Sequence, residues 1–366
     1  MGYMTTIVLD NLTKRFGDNL AVNGVSFTLG TGSFTALLGP SGCSKTTLLR
    51  LMAGFEQPSA GTVHFNGRPV GSPDAMVPPE RRSTGVVFQS YALWPHMDVA
   101  ANVAYPLQAR GPGRAAIDKR VGKALEMVSL TGFEQRSVDG LSGGQRQRVA
   151  LARCPVTGTD IILLDEPLAN LDVHLRAEML DVFARLHEET GATIVFVTHD
   201  QSEALALADR VIVLDHGVVQ QSGRPEQLYN EPANAMVAGF VGRGMFVSAL
   251  VSEGRVVLAD LPVPARGHAH GTKATVLLRP ENLALTDVGV PAVVVATRYS
   301  GASYDTTLRL ANGETVLLTA QERLEPGRPV HFTVEDASDR AGLIRAGAAH
   351  PPEGDWPADR VAPAAL

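Results

Sequence analysis

Cysteine, aromatic residues, basic runs and long apolar stretches are all scarce in this sequence. Cys43 and Cys154 are the two cysteines among 366 residues; a disulfide framework is excluded and a reducing cytoplasm is the simpler expectation. Aromatics make up 5%, and 32 Lys plus Arg against 38 Asp plus Glu leave a net charge of −6. No basic run interleaves with aromatics, so the electrostatic footprint of a nucleic-acid partner is missing. No apolar stretch reaches the ~18 residues that cross a bilayer, and the N-terminus lacks the regions of a secretion signal. The chain is therefore expected to be soluble. Met1-Gly2 with Thr6 fits a myristoylation pattern that arises often by chance, and a single acyl chain anchors weakly.

What is present is a large apolar fraction, 45% of the residues, in a length that suits about two domains. Two stretches suit phosphate. The first, Gly39-Pro40-Ser41-Gly42-Cys43-Ser44-Lys45-Thr46-Thr47, follows the apolar run Phe34 to Leu38 and opens a leucine-bearing helix near Thr46. Backbone N–H groups in such a loop wrap phosphates, Lys45 adds a point charge, and the Thr46 hydroxyl is placed to ligate Mg²⁺. Ser44 stands where the pattern has its second glycine. Glycine there adopts positive φ; if Ser44 must do the same, the cost is ~1–2 kcal/mol, about tenfold in nucleotide affinity. Cys43, at a helix N-terminus inside this loop, is expected to have a lowered thiol pKa. The second stretch is Ser142-Gly143-Gly144-Gln145, where Ser142 suits the N-cap of a helix beginning around Gly143.

Ile161-Ile162-Leu163-Leu164 reads as a buried strand of a parallel sheet whose carboxyl end delivers Asp165 and Glu166, and ligands of open α/β sheets gather at such ends. Asp165 is placed to hold Mg²⁺ through water and Glu166 to orient or deprotonate an attacking water. The pair also suits an acidic N-cap of the next helix. A further strand, Thr193 to Val197, finishes at Thr198-His199-Asp200, bringing an imidazole to the same sheet edge, where it suits the γ-phosphate.

Taken together, these residues resemble the ATP-binding cassette (ABC) ATPase family over the first two-thirds of the chain. Gly39 to Thr47 is similar to its phosphate loop, Gln89 to its glutamine loop, and Leu141 to Gln145 to its signature. Leu164 to Pro167 is similar to the magnesium and base segment, Ala169 to Asp172 to the D-loop, and His199 to the switch histidine. The resemblance implies ATP and Mg²⁺, a homodimer in which the signature of one subunit closes over nucleotide held by the other, and Phe16 stacking on adenine. It assigns catalysis to Glu166, His199, Gln89 and Lys45, and the metal to Thr46, Gln89 and Asp165. The fold it implies is a P-loop α/β nucleotide-binding domain with parallel sheet core, antiparallel β-subdomain and helical subdomain.

The segment Ser90 to Met97 followed by Val99 to Val103 resembles the helical subdomain of importer ATPases, with Tyr91, Leu93 and Trp94 as candidates for a groove that receives a membrane subunit. Thr62 to Phe65 with Asn66-Gly67 reads as a strand and tight turn, and residues 111 to 138 as helices. Pro155 is expected to end the signature helix near Ala152 to Cys154. Beyond Phe240, short β-runs such as Ala274 to Leu278, Ala292 to Thr297, Thr306 to Leu310 and Val330 to Val334 suggest a small barrel. It resembles the OB-like accessory barrel of one importer subclass. The expected division is 1–239 for the ATPase domain, with its helical subdomain at about 90–155, then 240–345 for the accessory domain and 346–366 for a flexible tail.

The expected function is the cytoplasmic energising subunit of an uptake transporter, peripheral on the inner face of the membrane. It would work with two transmembrane permease subunits and, indirectly, a periplasmic or lipid-anchored solute-binding protein. A polyamine, ferric iron or phosphonate is the expected cargo class. The alternative is a catalytically weakened nucleotide-binding regulatory module, because Ser44 replaces the glycine.

Overall fold

The computed structural model describes residues 6–108, 113–169, 171–252, 255–258, 261–264, 273–334 and 343–344. Its centre is a six-stranded sheet in the order Val218–Gly223, Arg210–Asp215, Phe34–Leu38, Thr193–Thr198, Ile161–Asp165, Thr84–Val87, parallel except at the Val218–Gly223 edge. Every residue of Phe34–Leu38, Ile161–Asp165 and Thr193–Thr198 is buried, which is why these strands read as unbroken apolar runs.

Strand alternation divides the core in two. Phe34, Ala36, Leu38, Ile162, Leu164, Ile194 and Phe196 face the helices Val99–Gln108, Arg114–Met127, Gly143–Ala152 and Val173–Thr190. Leu37, Ile161, Leu163, Val195 and Val197 face the helix Lys45–Ala53 and a four-stranded antiparallel sheet in the order Asn19–Leu29, Ile7–Phe16, Ala60–Phe65, Arg68–Gly71. Asn66 and Gly67, at φ 55° and 72°, form the tight turn expected between the last two of these strands. Among the described residues no helix is long and apolar enough to cross a membrane.

Two helix ends are informative. The signature helix stops at Ala152, and Pro155 opens a 3₁₀ turn, as its missing donor dictates. The helical stretch expected over 111–138 is corrected: the helix runs only Arg114–Met127. Ser129 takes φ 57°, with Leu130 N–H donating to Leu125 O (2.8 Å) and Ser129 N–H to Glu126 O (2.9 Å), a left-handed termination that propensity counting does not detect.

After the helix Ala235–Phe240 the described elements are strands, apart from a 3₁₀ turn at Pro280–Asn282. One five-stranded antiparallel sheet has the order Leu261–Pro264, Arg255–Leu258, Met245–Ser252, Lys273–Leu278, Leu343–Ile344; the other has Leu283–Thr286, Pro329–Val334, Val290–Tyr299, Tyr304–Leu310, Thr315–Ala320. Val247 and Leu278 of the first join Val290, Leu308, Leu318 and Phe332 of the second in one core, the all-β unit expected from the runs beyond Phe240. The tail expected from 346 onward, and the Met1-Gly2 pattern, lie outside the described residues.

Candidate functional site

Register places the candidate residues along one edge. Leu38 pairs with Thr198, Asp165 with Val197, and Val87 with Leu164, so the segments holding Gly39, Gln89, Glu166 and His199 all leave the carboxyl end of the central sheet.

Between the strand Phe34–Leu38 and the helix Lys45–Ala53 the loop turns sharply. A Cβ at Gly39 would lie 2.2 Å from Leu214 O, so only glycine fits against the neighbouring strand. Gly42 takes φ 80° and Ser44 φ 82°, ψ 16°; the serine stands in the left-handed region that the motif normally reserves for glycine. The helix still starts at once, with Leu48 N–H donating to Ser44 O at 3.0 Å. Lys45 is 4% exposed. Its ammonium donates to Gly39 O (2.7 Å) and Pro40 O (2.9 Å), which holds a positive charge over the loop.

Thr46 Oγ1 donates to Asp165 Oδ1 at 2.8 Å, and burial pushes the Asp165 carboxyl pKa up, opposed by that hydrogen bond. Glu166 takes φ 44°, fixed by its N–H donating to Val197 O at 3.0 Å, and its Oε2 lies 3.5 Å from His199 Nδ1. The next helix begins at Val173 behind an Asp172 N-cap, whose Oδ1 accepts from Leu175 N–H at 2.9 Å. Asp165 and Glu166 are thus not that helix's cap, and the bland reading of the pair is excluded.

A cleft of about 250 Å³ is lined by Phe16, Asn19, Ala21, Gly42, Ser44, Lys45, Thr46, Thr47 and Glu166. Phe16 is 45% exposed and has Lys14 Nζ 4.8 Å from its ring centre, so it is an open face at the cleft and not a core aromatic. Asn19 and Ala21 escaped sequence reading; the tight Phe16 to Asn19 pairing around Gly17-Asp18 brings them there, and the turn dipeptide was the available signal.

Ser41, exposed like Gln89 and Ser142, is not among the residues lining the cleft. Ser142 caps the helix Gly143–Ala152: its Oγ accepts from Gln145 N–H (3.3 Å) and Gln145 Oε1 accepts from Ser142 N–H (3.0 Å). A Cβ at Gly144 would meet Leu175 side-chain carbons at 2.5 Å, which explains the second glycine by close packing. Ser142 to Gln145 do not line the cleft of their own chain.

One expectation is overturned. Cys43 is 3% exposed, and burial raises its thiol pKa although the Lys45 charge pulls the other way; desolvation outweighs the helix N-terminus.

Past Gln89, Tyr91 and Ala92 both take left-handed φ, 61° and 47°. Tyr91 and Leu93 pack partly buried on the main core, while Trp94 stacks on Tyr105 (4.5 Å) beneath the Arg153 guanidinium (4.5 Å). Fully buried Asn102 accepts from Trp94 N–H (2.9 Å) and from Arg153 Nη2 (2.7 Å). Non-glycine left-handed residues thus occur at Ser44, Tyr91-Ala92 and Glu166, as they also do at Asn11, Asn66, Ser83, Ser129 and His216.

Comparisons with known proteins identify the family. The "ABC transporter" family matches residues 22–169 and the "TOBE domain" family residues 276–340. The spermidine/putrescine import ATP-binding protein PotA of Acetivibrio thermocellus is 40% identical over 90% of this chain and 94% of its own length. The Fe(3+) ions import ATP-binding protein FbpC of Escherichia coli K12 is 42% identical over 87% of this chain and 92% of its own. A dimeric post-hydrolysis structure of the ATP-binding cassette MJ0796, bound to ADP and Pi, superposes with TM-score 0.54 at 31% identity, covering 60% of this chain and 98% of that one. The chain belongs to the ABC transporter family, as an ATP-binding ATPase subunit carrying a C-terminal TOBE domain.

Proposed function

We propose that this ATPase energises solute import through separate membrane subunits, using one cleft built from the phosphate loop, Phe16, Asp165, Glu166 and His199. The carrying observation is that Ser44 to Thr47, Phe16 and Glu166 line a single cleft while Thr46 bonds Asp165 and Glu166 meets His199.

Phe16 offers an adenine a flat, exposed face, giving contact area without base selectivity. Loop N–H groups and Lys45 hold the phosphates, the ammonium exchanging the Gly39 and Pro40 carbonyls for phosphate oxygens. Gly39 to Thr47 supply this cradle.

The Thr46 hydroxyl and Asp165 carboxylate, hard oxygens within 2.8 Å of each other, fit Mg²⁺, which prefers one or two protein oxygens beside phosphates and water. Gln89 is the third candidate contact to the metal, from the turn after Thr84–Val87. When bound, the ion neutralises charge developing on the phosphates. Glu166 orients the attacking water and accepts its proton, and His199 holds that carboxylate and donates toward the transferred phosphoryl group.

The capped Ser142 turn, with the Gly143 and Gly144 amides at the positive end of its helix, is the surface that a second copy of the chain would press against nucleotide. Asp172 lies at the same dimer seam. Two copies, two permease subunits met by the Tyr91 to Trp94 region, and an external solute-binding protein complete the machine on the inner membrane face. The named relatives support a polyamine or ferric iron as cargo. The division of the chain at 239/240 and 345/346 is part of this reading.

Mg²⁺-dependent phosphate release by the purified chain tests the ATPase assignment. Glu166→Gln should stop release and accumulate an ATP-bound dimer in size-exclusion chromatography; release at the wild-type rate would reject Glu166 as the base. Ser44 at φ 82° favours a second reading, a nucleotide-binding regulatory module, which predicts binding without release in the unaltered chain.

A further inference from the structure

Outside the cleft, a network of polar contacts surrounds the segment that carries His199. Thr198 Oγ1 donates to Glu203 Oε2 (2.5 Å) and accepts from Asp200 N–H (2.9 Å). Asp200 Oδ1 accepts from Ser202 N–H (2.8 Å) and Ser202 Oγ (2.5 Å). The residues on both sides of His199 are thereby tied down, while the imidazole side chain is 49% exposed and faces Glu166.

The cation of this cluster comes from elsewhere in the chain. Arg176 Nη1 donates to Asp200 Oδ2 at 2.7 Å, and its Nε lies 3.6 Å from Glu203 Oε1. Arg176 is one turn into the helix Val173–Thr190, its own N–H donating to the carbonyl of the Asp172 cap at 2.9 Å. A planar guanidinium can address two carboxylates at once; an ammonium is a point charge. Glu203 is 4% exposed and Asp200 only partly so. Without Arg176 two like charges would share a poorly solvated turn, which costs far more than a surface ion pair. Burial already pushes the Glu203 carboxyl up, with Asp200 adding to the rise and Arg176 opposing it.

We propose that Arg176 is a positioning residue for hydrolysis: from the helix that begins at Asp172, it holds the Thr198–Glu203 turn so that His199 stays against Glu166. This rests on the reading of His199 as a partner of Glu166 in catalysis. It goes beyond that reading by making the first turn of the Val173–Thr190 helix an input to the histidine. A shift of the Asp172 segment moves the guanidinium, and with it the turn.

The test compares Arg176→Gln, Arg176→Lys, His199→Ala and the double variant Arg176→Gln/His199→Ala, in full-length protein. Steady-state ATPase, Mg-ATP affinity by fluorescence titration and melting temperature are read together. Arg176→Gln should lower kcat on the order of 10- to 100-fold, the loss expected for slight misplacement of a reacting group, with KM for ATP within about twofold. Arg176→Lys should recover part of the rate. In the His199→Ala background Arg176→Gln should add nothing, because the group it positions is gone.

The same fold-loss in both backgrounds would overturn the proposal, since a general structural defect acts regardless of His199. A slow His199→Ala beside a fast Arg176→Gln would overturn it alone. His199→Ala at the wild-type rate would remove the histidine reading and this one with it. Should Arg176→Gln fail to fold, Glu203→Gln keeps an acceptor for Thr198 while discharging the buried partner. It should make Arg176→Gln fold in the double variant; that variant at the full wild-type rate would also overturn the proposal.

Discussion

The Thr46 hydroxyl donates to Asp165 Oδ1 at 2.8 Å across 119 residues of sequence, tying the phosphate loop to the end of the strand Ile161–Asp165. Burial raises the Asp165 pKa, with the Thr46 bond and the Arg50 and Lys45 charges opposing. A carboxyl whose folded pKa is raised contributes stability that is fully present below its unfolded value, about 3.9, and lost as pH rises through the folded one. At neutral pH the ionised group is therefore a cost to the free chain.

Asp165→Asn keeps an acceptor for Thr46 and removes that cost. Thermal melts without nucleotide should show a higher Tm than wild type at pH 7, the gain shrinking as pH falls toward the ordinary carboxylate range. The same variant should lose the extra stabilisation that Mg²⁺ gives to ATP binding, a trade of function for stability. A lower Tm at pH 7 would contradict this account.

Ser44 at φ 82° pays a left-handed penalty of about 1–2 kcal/mol. The residue also lines the cleft. Ser44→Gly should relax the loop, raising Tm by a few degrees, partly offset by the extra freedom of glycine in the unfolded chain. ATP affinity should rise by up to about tenfold. Isothermal titration and melts on the two proteins decide it; identical affinity and Tm would mean that the serine costs nothing here.

Periodicity and punctuation carried most of the fold. Phe34 to Leu38, Ile161 to Leu164 and Thr193 to Val197 stood out because both their faces are covered, and Ser142, Asn66-Gly67 and Pro155 act through local chemistry that a sequence displays. Contacts with no period stayed hidden. Arg176 meets Asp200 across 24 residues and Arg153 meets Asn102 across 51, and nothing in either local sequence announces the partner. Cys43 shows the other limit. A correct local rule, that a helix N-terminus favours thiolate, loses to desolvation by the surrounding core even with the Lys45 charge on its side.

That burial changes what thiol reagents should do. The Cys43 pKa lies above its ordinary value and that of fully buried Cys154 is pushed up to about 12, in both cases chiefly by desolvation. At pH 8 the thiolate fraction of Cys154 is about 1 in 10⁴, far below that of a free thiol. Both cysteines should react with Ellman's reagent much more slowly than free cysteine at pH 8, and in parallel with unfolding when urea is added. Rapid stoichiometric labelling of Cys43 in the native chain would show that the loop opens readily.

The junction between the ATPase unit and the β unit turns on Arg279. It is 3% exposed, its Nη1 donates to Ala238 O (3.2 Å) and its Nη2 to Tyr229 O (3.0 Å), and the guanidinium lies 4.2 Å from the Tyr229 ring centre. Tyr229 in turn hydrogen-bonds Glu281 through its hydroxyl. A Cβ at Gly242 would lie 2.3 Å from the Tyr229 ring, so the linker passes against this stack with no room for a side chain. Arg279→Met fills similar volume without the donors, stranding two carbonyls and the aromatic face; leaving such buried groups unpaired costs about 1–3 kcal/mol each. The expected outcome is a lower-melting β unit and faster protease cleavage near residues 241–244, with ATP binding at the remote cleft unchanged. Gly242→Ala should reproduce the cleavage through steric displacement alone. Unaltered cleavage and melting in both variants would show that the strand cores, and not this stack, hold the junction.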